Sequence, residues 1–171
     1  MKDVDALIHQ VNCLCVTPYG ITQQLAQNMI WGFATKFVKY FPWANIYSSR
    51  EGDFSKNLAR PKDRGIPGTI RVFTAPDFKR PDIICFLSQW DYGTVDRQSR
   101  HIPPYCDTQE NRKVWFRQCL EQLRNLDIKS VGIRYHSGSV GDWKPCLDAI
   151  NDFAKSSDIH FVIISPSISN E

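Results

Sequence analysis

The sequence predicts an α/β fold, with a mixed and largely parallel sheet sandwiched between helices. Three observations predict it. Apolar runs of strand length recur at 4–12, 69–75, 82–89, 130–135 and 159–164. Stretches with helical spacing lie between them, at 21–41, 107–126 and 142–153. The resulting order, β-α-β-β-α-β-α-β, alternates strands with helices in its second half, as parallel strands joined by crossover helices require.

The first strand, DALIHQVNC, mixes alternation with continuous apolarity, which suits an inner strand covered on both faces. From Ile21 the spacing becomes helical, with Ile21, Leu25, Met29, Phe33, Phe37 and Tyr40 on one stripe, and Pro42 ends the segment. Residues 48–68 hold Gly, Pro and alternating charge without an apolar period, and read as a long surface loop. TIRVFTA and DIICFLSQ read as neighbouring strands. A second long loop, 90–106, is aromatic and basic. Asp107 followed by Glu110 marks a helix start, and Phe116, Leu120, Leu123 and Leu126 give that helix its stripe. Asp142 is placed to cap the next helix, Pro145 fits its first turn, and Leu147, Ile150 and Phe153 face inward.

At 171 residues the chain reads as one domain, with its core over about 4–165. A hydrophobic content of 42% with 23% charged residues argues against general disorder. The net charge of +3 is too small to imply a nucleic-acid or membrane partner by itself. The six cysteines form no CxxC pair, and no histidine completes a zinc set, so neither a metal nor a cofactor is expected. Several lie in apolar runs, as in Ile84-Cys85-Phe86, where a reduced thiol behaves as a small hydrophobe. With an acidic rather than basic start and no membrane-length apolar run, the reading is a cytoplasmic or otherwise intracellular monomer with no membrane contact.

Two strand-turn-helix units carry the chemistry. In the first, the strand stops at Asn12-Cys13 and turns through Tyr19, Gly20 and Ile21 into a helix. In the second, Ser137, Gly138, Ser139, Val140 and Gly141 crowd the turn before Asp142. Such turns aim backbone N–H groups and a positive helix end outward, which suits a phosphate, and two of them can share a diphosphate. Ligands of open α/β sheets bind beyond the carboxyl ends of strands, where both turns and the segment after Gln89 fall. The candidate site therefore gathers His9, Asn12, Cys13, Gly20, Ile21, the segment from Gln89 to Gly93 including Trp90 and Tyr92, and Ser137 to Asp142. Neither a Walker loop nor a GxGxxG fingerprint is present.

ALIHQVNC, GTIRVF, ICFLSQWDYG and a glycine-containing turn ending in GDW, in that order, resemble the macro domain. The match is closest to the branch that processes ADP-ribose-1''-phosphate. The resemblance implies a three-layer α/β/α fold that binds ADP-ribose or an ADP-ribosylated substrate. It implies that Asn12 lies near the distal ribose, that His9 matches a histidine of this branch, and that 137–141 wrap the diphosphate. Departures are the Thr17-Pro18-Tyr19 run where the family carries glycines, and Arg134 where it carries proline. The family's early Gly-Asp-Ile, whose aspartate holds adenine, would precede Met1, leaving Asp3 or Asp5 as substitutes.

Each residue also has a plainer role. Asn12 is either a turn cap or a ligand-facing amide, and His9 either a core histidine or a general base. Cys13 is a packing thiol rather than a nucleophile, Trp90 and Tyr92 cover ligand or close a lid over the core, and Asp142 is a helix cap before it is a base. The leading expectation is a phosphatase acting on ADP-ribose-1''-phosphate or an ADP-ribosyl hydrolase. Asn12 would orient the distal ribose, with His9 or Asp142 as base. The alternatives are a binding module without chemistry, or a degenerate fold that contacts protein or single-stranded nucleic acid through 50–64 and 90–105.

Overall fold

The computed structural model describes residues 4–17, 46–77, 80–95, 101–134 and 143–164. Seven strands fall within them: β1 (Ala6–Asn12), β2 (Gly52–Asp53), β3 (Leu58–Ala59), β4 (Ile70–Phe73), β5 (Asp82–Gln89), β6 (Ser130–Arg134) and β7 (His160–Ile164). Two described α-helices, α1 (Gln109–Gln122) and α2 (Lys144–Ala154), join them. The helix expected over 21–41 lies outside the described residues.

The main sheet has the order β4-β5-β1-β6-β7. β1 pairs in parallel with β5 and β6, β6 pairs in parallel with β7, and only β4 runs antiparallel, against β5. The expected mixed, mostly parallel sheet is thus present, with β4 and β5 as the expected neighbours. β1 is the middle strand, and every residue of it except Gln10 is buried. That explains its nearly continuous apolar run.

Strand alternation divides the core in two. Ala6, Ile8, Ile84, Phe86, Val131 and Ile133 point to the face covered by α1 and α2. There Phe86 meets Phe116 edge-on at 5.5 Å, and Ile150 and Phe153 complete the packing. Leu7, Val11, Ile83, Cys85 and Leu87 point to the other face, against Ile46, Tyr47 and Leu58.

Two details differ from the sequence reading. Helix α1 is capped by Thr108, whose Oγ1 accepts the Asn111 N–H at 3.1 Å, and not by Asp107. Asp107 instead lies one residue earlier and accepts from the Arg112 guanidinium at 2.6 Å. The segment 48–68 is more than a surface loop: it forms the small β2-β3 hairpin, and Arg50, Asn57 and Ala59 are buried. Their backbone and side-chain partners lie at the end of β1, as described below. Among the described residues no helix is long and apolar enough to cross a membrane.

All six cysteines are free thiols. Burial pushes the Cys13 and Cys85 thiols up to about 12, so both are neutral at ordinary pH, and Cys119 shifts in the same direction for the same reason. Since the thiolate is the nucleophile, these groups are inert while the fold is intact. Cys106 is exposed and Cys146 half-buried. Iodoacetamide at pH 8 is expected to label Cys106 first and Cys146 more slowly, with Cys13, Cys15, Cys85 and Cys119 protected until denaturant is added. Peptide mass spectrometry reads the order, and prompt labelling of Cys13 would contradict the buried turn.

Candidate functional site

The carboxyl end of β1 is an irregular turn held by side chains from both sides. Asn12 caps it: its Oδ1 accepts the Cys15 N–H at 2.8 Å and its Nδ2 donates to the Tyr47 hydroxyl at 3.3 Å. From below, Arg50 Nη1 donates to the carbonyls of Asn12 at 3.1 Å and Cys15 at 2.8 Å. Beyond it, Asn57 Oδ1 accepts the N–H groups of both Val16 (2.9 Å) and Thr17 (2.8 Å). Asn57 adopts φ 47°, a left-handed conformation that asparagine tolerates better than most residues. The N–H groups of residues 15–17 are therefore all satisfied by the protein itself.

The neighbouring turn, after β5, is tied to the first. The Cys13 N–H points at the Gln89 carbonyl (2.9 Å) and the Trp90 carbonyl (3.2 Å), where the pairing of β1 with β5 shifts register. Trp90 is buried, donates its indole N–H to the Ile102 carbonyl at 2.6 Å, and packs edge-on against Tyr105. These contacts are compatible with the reading of Trp90 as a lid over the core. Tyr92 is exposed. Arg112, from α1, stitches the segment together. It forms a forked pair with Asp107 (2.6 and 2.9 Å) and donates to the carbonyls of Gly93 (2.8 Å) and Asp91 (3.2 Å). Asp107 in turn accepts the Asp91 N–H at 2.7 Å.

Between the first turns of α1 and α2 lies a small cleft of about 30 Å³ at the carboxyl ends of β1 and β5. It is lined by Gln10, Ser88, Gln89, Gln109, Arg112, Lys113, Pro145 and Cys146. The Oε1 of Gln10 and the Oγ of Ser88 are buried there without a hydrogen-bond partner. Of these residues only Gln89 was singled out from sequence. Gln10 and Ser88 had a readable signal, as polar residues on the helix-facing side of buried strands.

His9 is on the opposite face of β1 from Gln10, buried among the second core group and in register with Cys85. Cys13 is fully buried within the turn. Asp5 is excluded as an adenine anchor at this edge. Its carboxylate sits at the amino end of β1 and accepts the N–H groups of Lys129 (2.8 Å) and Ser130 (2.9 Å), bonds that also hold its pKa below the usual value. Asp3, Tyr19, Gly20, Ile21, Ser137, Gly138, Ser139, Val140, Gly141 and Asp142 lie outside the described residues. No group of three or more metal-ligating side chains exists among the described residues.

No family model matches the chain, and no curated protein matches it in sequence. Solved structures do match. The macrodomain of Mycobacterium tuberculosis DarG superposes with a TM-score of 0.55 at 18% identity, covering 96% of this chain and 91% of that one. The macrodomain of Thermus aquaticus DarG gives 0.51 at 15%, covering 95% and 90%. The fold is that of a macrodomain, over nearly the whole chain.

Two substitutions test the scaffolding of these turns. Asp107→Ala leaves the Arg112 guanidinium buried without its carboxylate, and should cost about 3–5 kcal/mol in urea unfolding. Asn12→Ala strands the Cys15 N–H and should cost about 1–3 kcal/mol by the same measurement. A loss near zero for Asn12→Ala would mean that its amide is not the cap of the turn.

Proposed function

We propose, from the macrodomain fold, that this chain binds ADP-ribose or an ADP-ribosylated substrate at the carboxyl edge of its sheet and hydrolyses a bond at the distal ribose. The observation that carries this reading is the turn after β1, braced at the carboxyl edge of the sheet by Asn12, Arg50 and Asn57. Catalysis of this kind rests on orientation and on fixed dipoles more than on a reactive side chain.

In this proposal Asn12 works through the turn it caps, since its amide oxygen already accepts from Cys15, and retains one further lone pair toward solvent or ligand. Burial of His9 supports its plainer role as a core histidine. The general-base role then falls to Asp142, and the diphosphate to the glycine turn at 137–141. Release of inorganic phosphate from ADP-ribose-1''-phosphate and release of ADP-ribose from a modified macromolecule are the two forms the chemistry can take.

A second reading, a binding module without chemistry, has one observation in its favour. The Asn12 amide, which would orient an attacking water, makes its bonds inside the protein. Calorimetric titration with ADP-ribose, followed by assays for phosphate and for ADP-ribose release, separates the readings. Saturable binding with either release supports hydrolysis, binding with neither leaves the module, and no binding rejects both. Gly138→Val should abolish the calorimetric signal with little change in the unfolding transition, because a branched Cβ keeps backbone away from phosphate oxygens. Unchanged binding would move the diphosphate elsewhere.

A further inference from the structure

The cleft between the first turns of α1 and α2 holds polar groups that the proposed function leaves unused. Ser88 lines it and is only 2% exposed, yet its Oγ has no hydrogen-bond partner among the described residues. The Oε1 of Gln10 is buried in the same lining and in the same condition. Strand alternation puts both on the helix-facing side, Gln10 beyond Ile8 on β1 and Ser88 beyond Phe86 on β5. A buried hydroxyl and amide oxygen left unbonded are costly, so an occupant that bonds both is favoured.

The third polar group of the cleft is a thiol. Gln10 Nε2 donates to Cys146 Sγ at 3.8 Å, which sets the sulfur against the same amide whose oxygen is unmet. Cys146 is half-buried and is the third residue of α2. The dipole of a helix favours an anionic sulfur in its first turn, and an amide donor adds to that. Lys113 brings a cation to the same lining, although Glu110 accepts from its Nζ at 2.6 Å. Arg112 adds no spare charge, because its fork is closed on Asp107. Cys13, Cys85 and Cys119, by contrast, are fully enclosed and held neutral by burial. The cleft volume of about 30 Å³ has room for about two water molecules. Hydrogen peroxide, with two oxygens, is of that size.

We propose that Cys146 is a peroxide-reactive thiol and that Gln10 and Ser88 form the seat of its sulfenic acid. The Cys146 thiolate attacks one oxygen of hydrogen peroxide, so that an S–O bond forms as the O–O bond breaks. Sulfur gives up two electrons, the peroxide takes them, and the departing hydroxide leaves as water with the proton that the thiol released. The sulfenic acid brings one O–H donor and one acceptor oxygen to the cleft. Gln10 Oε1 accepts the first, and the Ser88 hydroxyl donates to the second. This modification site stands on the cleft and does not depend on the ADP-ribose reading.

The test is a brief pulse of hydrogen peroxide on the reduced, folded protein, ended with catalase. The protein is then unfolded in dimedone and iodoacetamide, so that every cysteine reports either a sulfenic acid or a surviving thiol whatever its burial. Peptide mass spectrometry should find the dimedone adduct on Cys146 ahead of the exposed Cys106, the reverse of the order expected for iodoacetamide on the folded chain. Ser88→Ala removes an unbonded hydroxyl, so its melting temperature should match or exceed that of wild type. The adduct at Cys146 should nevertheless fall roughly two- to tenfold, the effect of one ordinary hydrogen bond, with Cys106 unchanged as internal control. Gln10→Met, which keeps the volume and loses the amide, should lower it as well. Oxidation of Cys106 before or equally with Cys146 would overturn the proposal. So would a leading Cys146 whose adduct is indifferent to Ser88→Ala. A loss confined to Gln10→Met and accompanied by a lower melting temperature would make Gln10 a packing residue, and the seat would fall with it.

Discussion

The structure depends on how its middle strand ends. β1 pairs with β6 over Ala6–Ile8 and with β5 as far as Asn12, where the pairing with β5 stops while the chain is still buried. Every peptide group from Asn12 to Thr17 then needs another partner, since an orphaned buried N–H or carbonyl costs as much as a lost bond. Three side chains supply them. Asn12 takes the Cys15 N–H, Asn57 takes those of Val16 and Thr17, and Arg50 takes the carbonyls of Asn12 and Cys15. Two of these three come from the segment 46–59, so that segment is packed beneath the turn rather than draped around it. The Ala59 N–H to the Leu14 carbonyl, at 2.7 Å, and the Gly65 N–H to the Cys13 carbonyl, at 2.9 Å, finish the same accounting from the backbone.

The second turn is rigid for a different reason. After β5 the chain is fixed by one charged fork, with Arg112 satisfied by the Asp107 carboxylate and two carbonyls, and by a row of edge-to-face aromatic contacts running through Trp90, Tyr105 and Trp115. Arg112 is the fourth residue of α1, directly after Asn111, whose N–H the Thr108 cap holds, so the cap and the fork set the same first turn of helix. The Cys13 N–H, shared between the Gln89 and Trp90 carbonyls, transmits the position of one turn to the other. The small cleft lies where these two rigid turns meet the starts of α1 and α2.

The inner strands β1 and β5 were legible because burial on both faces leaves an apolar run that no surface segment would carry. Helix α1 was legible through its stripe, but its cap was displaced by one residue. Asp107-Thr108 offers two capping side chains in succession, and only the tertiary pairing of Asp107 with Arg112 leaves the cap to Thr108. Arg50 was illegible. In SSREGDFSKN a charge among glycine and polar residues reads as solvated, and nothing local announces that two carbonyls forty residues away require a donor. Asn12 was found, yet its plainer role is the one its bonds describe. Gln10 and Ser88 were overlooked although their signal is local: each interrupts an apolar strand on its helix-facing side, where an amide or hydroxyl needs a reason to be.

The charges at this edge are sorted by sign. Its described carboxylates are absorbed into the scaffold: Asp107 by Arg112 and the Asp91 N–H, and Asp91, itself buried, by the Tyr92 N–H. Nearby, Lys113 and Arg112 line the cleft and Arg50 lies beneath the first turn, while the remaining cleft lining is neutral. A buried acid that is fully bonded contributes little field beyond its partner, whereas a buried cation with no counter-ion projects one toward the nearest opening. Arg50, buried and without a carboxylate partner among the described residues, is a local charge that the near-neutral total of +3 for the chain does not express. Net charge averages over the surface, and a binding edge answers only to the charges that its own low-dielectric surroundings leave unscreened.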